Sequence, residues 1–163
     1  VAYCLPNFLK CLDFASIGTN DLVQYLLAVD RQDPSVSALC NPLHPAVILV
    51  LSDMISAANR AGKEIGVCGE AASDPLFAKM LVGMGLRTLS MDCSSLLPVK
   101  ECMLGYTLKE AQDFARKLKR ARSAPDVQRI VARICDPEKD IPLSPIMRSA
   151  LTEEFLGLDR LTA

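Results

Sequence analysis

Four residues carry side chains whose types and neighbours fit phosphate, metal or proton chemistry: Asn20, Asp21, Arg31 and Cys68. Asn20 and Asp21 stand in the turn Gly18-Thr19-Asn20-Asp21, which follows a short apolar run and opens a helical pattern. Gly18 lets the backbone turn sharply. The Asn20 amide can donate to a phosphate or carboxylate oxygen, and the Asp21 carboxylate is a hard oxygen ligand of the kind Mg²⁺ takes. The same Thr-Asn-Asp triplet also makes an ordinary helix cap, and local chemistry alone favours the cap. Arg31 follows "AVD" just past that helix. A guanidinium there can grip phosphate or carboxylate bidentately, or stand as a surface arginine paired with Asp30 or Asp33. Cys68 lies in "GVCGE", where Gly66 and Gly69 give close backbone access on both sides. Its thiol is placed to give or take a proton at a ligand, or else is a buried structural thiol. The single histidine, His44, sits in "NPLHPAV" between Pro42 and Pro45. There a helix-entry residue with a structural hydrogen bond is favoured over a phosphoryl acceptor or base, and no histidine near Cys68 in sequence supports a cysteine nucleophile.

The elements that must position these residues alternate. "CLDFASI" reads as a buried parallel strand ending at Gly18. Thr19 or Asn20 is expected to cap the next helix, with Asp21 in its first turn and Leu22, Tyr25, Leu26 and Val29 on one face. A polar, Pro-rich loop leads to a helix over "PAVILVLSDMISAANRAG", started by Pro45 and stopped by Gly62. "EIGVCGE" predicts a second strand. "DPLFAKMLVGMG" predicts a second capped helix, with Asp74 as cap and Pro75 in the first turn. "LRTLSMD" and "SSLLPVKECML" predict a third strand and helix. Such alternation implies parallel strands with crossover helices. About three βα units occupy residues 1–105, whereas a closed (β/α)₈ barrel takes roughly 250 residues. The expected fold class is therefore α/β, as a small open sheet or a partial barrel.

Residues 106–163 read differently. "TLKEAQDFARKLKRARSAPDVQRIVARI" predicts two amphipathic helices broken at Ala124-Pro125. The basic cluster Arg116, Lys117, Lys119, Arg120 and Arg122 is expected to be a solvated helix face. "DPEKDIPLSPIMRSALTEEFLGLDRLTA" reads as a loosely ordered tail, or as a segment that docks on a partner.

Composition narrows the function classes. A net charge of −1 makes no electrostatic case for nucleic acid or an anionic membrane surface. No apolar run reaches the roughly 18 residues of a membrane helix, and the amino-terminal stretch lacks the pattern of a secretory signal. Residue 1 is Val rather than Met, so an internal start within a longer chain is expected. Seven cysteines, an odd number without a CxxC pair, predict mostly buried thiols in a reducing cytoplasm rather than a disulfide scaffold. The six besides Cys68 are expected to be packing residues.

Three segments in order, "SIGTNDLVQYLLAVDR", "NPLHPAV" and "GVCGEAASDPLFAKMLVGMGLRTLSM", closely resemble the carboxyl-terminal phosphoenolpyruvate-binding domain of enzyme I. That family comprises the phosphoenolpyruvate–protein phosphotransferases of the bacterial sugar phosphotransferase system and its nitrogen-related paralogue. The resemblance covers roughly residues 12–103. It implies the last three βα units of a TIM barrel, which the pattern of residues 106–163 extends with a helical segment and tail. It assigns Asp21 to Mg²⁺, Asn20 and Arg31 to the substrate phosphate, and Cys68 to proton transfer at C3 of the enolpyruvate. It also implies phosphoenolpyruvate and pyruvate as ligands, an HPr-like phosphocarrier partner and a homodimer. The family's phosphoryl-accepting histidine, second metal carboxylate and further substrate arginines match nothing in these 163 residues. His44 does not lie in the phosphohistidine motif, and "GEAASD" differs from the commoner "GELAGD". The chain alone is accordingly expected to be inactive. Pyruvate phosphate dikinase and phosphoenolpyruvate synthase share the GTND and CGE elements, so a piece of either is an alternative. A non-catalytic dimerisation or regulatory module is another.

Overall fold

The apolar run between Pro45 and Gly62 forms a sixteen-residue helix, and its two ends are built as the sequence predicts. In this computed structural model, which describes residues 2–133, helix α3 spans Pro45–Arg60. His44 is its N-cap, and Gly62 just beyond its end takes the left-handed φ of +63° that favours glycine. Before it come a short helix α1 (Leu5–Phe8), strand β1 (Phe14–Gly18) and helix α2 (Thr19–Leu27). After it come β2 (Glu64–Cys68), α4 (Pro75–Gly83), β3 (Thr88–Ser90) and α5 (Cys93–Leu104). The Asp74 carboxylate accepts from the Leu76 and Phe77 amides at 2.9 and 2.8 Å and starts α4, as the sequence predicts.

The strands form one parallel sheet in the order β1-β2-β3, with Ser16 opposite Gly66, Gly18 opposite Cys68, and Cys68 opposite Ser90. Side chains alternate across it. Ile17, Ile65 and Val67 turn to one face and join a core with Leu51, Ile55, Phe77, Met80 and Leu81. The opposite face carries Phe14, Ser16, Glu64, Cys68, Thr88 and Ser90, and most of it is open. The expectation of a buried first strand is therefore corrected: in β1 only Ile17 is buried, and Phe14 is 69% exposed. An apolar segment signals one covered face as well as two, and here helices cover one. On α2 the buried residues are Thr19 and Val23, while Tyr25, assigned to the inner face, is 79% exposed.

Two further helices pack on this unit, α6 (Leu108–Lys119) and α7 (Ala124–Ala132). Both begin with capping boxes, Thr107 with Glu110 and Ser123 with Asp126. The break between them falls before Ala124, so Ala124-Pro125 opens α7 rather than interrupting a helix; proline suits a first turn. Phe114, Leu118, Val127 and Val131 enter the same core as the sheet, each burial contributing about 1.5–3 kcal/mol. Along the α4–α6 seam, Lys79 is 7% exposed and its Nζ stands 4.6 Å from the Tyr106 ring centroid. Burial, with Cys102 nearby, pushes the Tyr106 phenol up to about 12. The basic cluster of α6 and its following turn is exposed, as expected.

The cysteine expectation is corrected too. Among the described residues no cysteine is fully buried: Cys4, Cys11 and Cys93 are exposed, and Cys40, Cys68 and Cys102 are half-buried. None of the six is in a disulfide. A thiol's apolar character favours the interior only where an element turns it inward, and α5, for instance, buries Val99 alone. Cys135 and the tail lie outside the described residues. No helix among those described is long and apolar enough to cross a membrane.

Candidate functional site

The carboxyl ends of β1 and β2 lie side by side, and two chemistry-bearing turns leave from them. Neither Thr19 nor Asn20 caps α2, contrary to expectation; the N-cap is Gly18, with no side-chain bond. Thr19, 1% exposed, instead sends its hydroxyl across the sheet to the Cys68 carbonyl oxygen at 3.0 Å. That bond fastens the Thr19-Asn20-Asp21 turn to the end of β2.

The two turns also touch through Gly69. Its φ of +112° is open to glycine and costly for other residues. A Cβ there would lie 2.4 Å from Thr19 Oγ1 and 3.2 Å from Asn20 Oδ1. The Asn20 side chain thus lies directly over the Cys68–Gly69 backbone. Asp21 is exposed in the first turn of α2, with Oδ2 4.0 Å from where a Gly18 Cβ would stand. Its negative charge also suits the positive end of the helix.

Cys68 is half-buried at the rim. The Ser16 hydroxyl donates to its sulfur at 3.6 Å, and its thiol donates to the Ile17 carbonyl oxygen at 3.6 Å. Asn20, Asp21 and Cys68 are therefore gathered at one end of the sheet. Arg31 makes no described hydrogen bond to any of them. It is exposed in the turn after α2, where its backbone amide reaches Gln24 Oε1 at 3.5 Å. Its charge acts instead on Cys40, partly offsetting the rise that burial gives that thiol.

The third strand adds an acceptor cluster that sequence reasoning missed. Asp92, just past β3, accepts from Ser73 Oγ at 3.1 Å, from the Ser95 amide and hydroxyl at 3.1 and 2.9 Å, and from the Ser94 hydroxyl. The Ser94 and Ser95 bonds above all hold its carboxyl far below the usual carboxylate range. Ser73 ends the 3-10 turn Glu70–Ser73, so Asp92 ties the Cys68 turn to the start of α5. The Thr19 latch was missed as well; its partner is a backbone atom 49 residues away, which no local pattern marks. Ser16 had a usable signal, since two residues before Gly18 on a strand puts it on the Cys68 face.

For Mg²⁺, Asp21 supplies one hard oxygen donor of the right type. Among the described residues no three His, Cys, Asp or Glu side chains converge as a ligand set. Asp21 thus fits as one ligand of an ion otherwise held by substrate, water or residues elsewhere.

His44 makes no described hydrogen bond to Asn20, Asp21 or Cys68. Its Nδ1 accepts from the Ala46 amide at 3.2 Å, the structural role that its position predicts. Burial holds the imidazole below its ordinary value of 6.5, so the unfolded chain takes up protons first. That contribution to stability is full above pH 6.5 and is lost as the pH falls through the lower folded value. The urea midpoint should drop between pH 7 and pH 5.5. The drop should shrink in His44→Asn, which keeps a capping oxygen but does not titrate in that window. An equal drop in both proteins would assign it to other groups.

Comparison with known proteins gives a consistent result. The family model described as "PEP-utilising enzyme, PEP-binding domain" matches residues 1–108. A phosphoenolpyruvate-protein phosphotransferase of Cupriavidus necator is 54% identical over 100 residues, 61% of this chain and 17% of that protein. A "phosphoenolpyruvate-dependent phosphotransferase system" protein of Salmonella typhimurium is 39% identical over 132 residues, 81% of this chain and 18% of its own length. A multiphosphoryl transfer protein of Escherichia coli is 36% identical over 156 residues, 95% of this chain and 19% of its own. The chain thus spans less than a fifth of these relatives. The match runs through both turns of the rim, and the chain belongs to the PEP-utilising enzymes, within their PEP-binding domain.

Proposed function

We propose that this chain forms the carboxyl-terminal part of a phosphoenolpyruvate–protein phosphotransferase and contributes one sector of its phosphoenolpyruvate site. The observation that carries this reading is the Thr19 Oγ1–Cys68 O bond of 3.0 Å, which joins the Asn20-Asp21 turn to the Cys68 turn on one rim. In this reading β1 to β3 are three neighbouring strands of a (β/α)₈ barrel, and the open sheet face looks into its interior. The Asn20 amide and the Arg31 guanidinium bind the substrate phosphate, Arg31 by a movement of its exposed turn. Asp21 is one ligand of Mg²⁺, which when bound neutralises phosphate charge. Cys68 gives its proton to C3 of the enolate left when the phosphoryl group departs, yielding pyruvate. The phosphoryl group goes to a histidine outside these residues and on to an HPr-like phosphocarrier protein. Thiols outside any disulfide accord with a reducing compartment such as the cytoplasm.

Titration of the 163-residue chain with phosphoenolpyruvate tests this. Binding should require Mg²⁺ and weaken by about tenfold or more in Asp21→Asn. No pyruvate should be released, because the accepting histidine is elsewhere; release would refute that part. A second reading, a non-catalytic dimerisation module, draws support from α5, where Leu96, Leu97 and Leu104 are 55%, 72% and 80% exposed. Self-association in sedimentation without any Mg²⁺-dependent binding would favour it. A homodimer that also binds the ligand would satisfy both.

A further inference from the structure

We propose that Ser16 is a positioning residue for Cys68, its hydroxyl setting the direction from which the thiol meets a substrate carbon. This rests on the proposed reading of Cys68 as the proton donor and adds a residue to it.

Ser16 lies on the open face of β1, opposite Gly66 and one alternation before Gly18, whose partner is Cys68. Gly66 sets no side chain across from Ser16, and the nearest group beyond it is Thr88, whose Cγ2 lies 3.4 Å from where a Gly66 Cβ would stand. The hydroxyl can therefore lean toward the carboxyl end and donate to Sγ at 3.6 Å. The thiol hydrogen meanwhile points to the Ile17 carbonyl at 3.6 Å. The sulfur is thus held between one donor and one acceptor on the same neighbouring strand, which fixes its rotamer. Both contacts also suit the chemistry. When the thiol gives up its proton to carbon, the sulfur becomes an anion, and the Ser16 hydroxyl is already aimed at it. Ser16 is exposed and enters no apolar cluster, so packing does not account for this arrangement.

Two measurements test the proposal. In the 163-residue chain, alkylation of Cys68 by iodoacetamide is followed by peptide mass spectrometry, with Cys93 and Cys102 as internal references. Ser16→Ala should change the Cys68 rate by about threefold or more, Ser16→Thr should restore it, and the reference rates should stay constant. Equal Cys68 rates in all three proteins would overturn the proposal. In the longer enzyme that carries this chain, exchange of pyruvate methyl protons with deuterium is measured. Ser16→Ala should lower kcat for exchange by about tenfold with little change in KM, again restored by Ser16→Thr. Loss through KM alone, or exchange at the original rate, would overturn it. Exchange that persists at the original rate in Cys68→Ala would instead overturn the reading of Cys68, a separate failure. Should Ser16→Ala unfold, Ser16→Thr against Ser16→Gly gives the same comparison.

Discussion

Gly69→Ala should cost the protein both the proposed phosphoenolpyruvate site and much of its stability. The new Cβ would stand 2.4 Å from Thr19 Oγ1 and 3.2 Å from Asn20 Oδ1, and the backbone would hold an L-residue at φ +112°. The strained dihedral costs about 1–3 kcal/mol and the steric conflict about as much again. Relief requires the Thr19 hydroxyl to leave the Cys68 carbonyl, which separates the two turns. Denaturant unfolding should show a loss of about 2–5 kcal/mol, and Mg²⁺-dependent phosphoenolpyruvate binding should vanish. Thr19→Ala removes the nearest obstacle while leaving the dihedral, so the double variant should lose less than the sum of the single losses. Strict additivity, or normal binding by Gly69→Ala, would count against the latch.

The second large effect lies away from the site, at Gly83. In an exposed helix, Gly→Ala gains about 1 kcal/mol. Here the added Cβ would lie 2.1 Å from the Ala111 carbonyl oxygen, 2.5 Å from its carbon and 3.0 Å from Ala115 Cβ. Two of those atoms are backbone and cannot rotate away, so α4 and α6 must part. That breaks the burial of Phe114 and Leu118 and the stacking of Lys79 on Tyr106. A net loss of about 3 kcal/mol is expected, with amide exchange in α6 accelerating more than in α3. An unchanged or raised midpoint would mean that α6 is not held at this seam.

The helix ends were legible because their determinants are local. Pro45 with Gly62, and Asp74 with Pro75, act within a few residues of the ends they set. The three strands were legible as elements for the same reason. What escaped was decided by partners distant in sequence. The Thr19 hydroxyl has an ordinary local use as a cap, and it is drawn instead to a carbonyl beside it only in the folded sheet. Phe14 looks like a core residue until the number of strands covering it is known. Of the candidate residues, the sequence placed Asn20, Asp21 and Cys68 at strand ends, and they stand at one end of the sheet, yet no spacing rule brings Asn20 onto Gly69. Arg31 illustrates the limit, since a turn after a helix can point many ways.

The open face of the sheet is graded in size along its length. At the amino end it carries Phe14 and Glu64, the latter accepting from Thr88 Oγ1 at 2.9 Å. Midway it has Ser16 beside a bare Gly66, and at the carboxyl end Gly18, Cys68 and Ser90. Bulk thus diminishes from Phe14 and Glu64 toward the rim, with Thr88 beside Gly66 midway and only small side chains at the carboxyl end. In the proposed reading, a three-carbon ligand at this end meets side chains that are small or missing, and only the Arg31 turn has to move toward it. Enlarging that end, as in Ser90→Leu, should therefore weaken Mg²⁺-dependent phosphoenolpyruvate binding by volume alone, with the polar donors left in place.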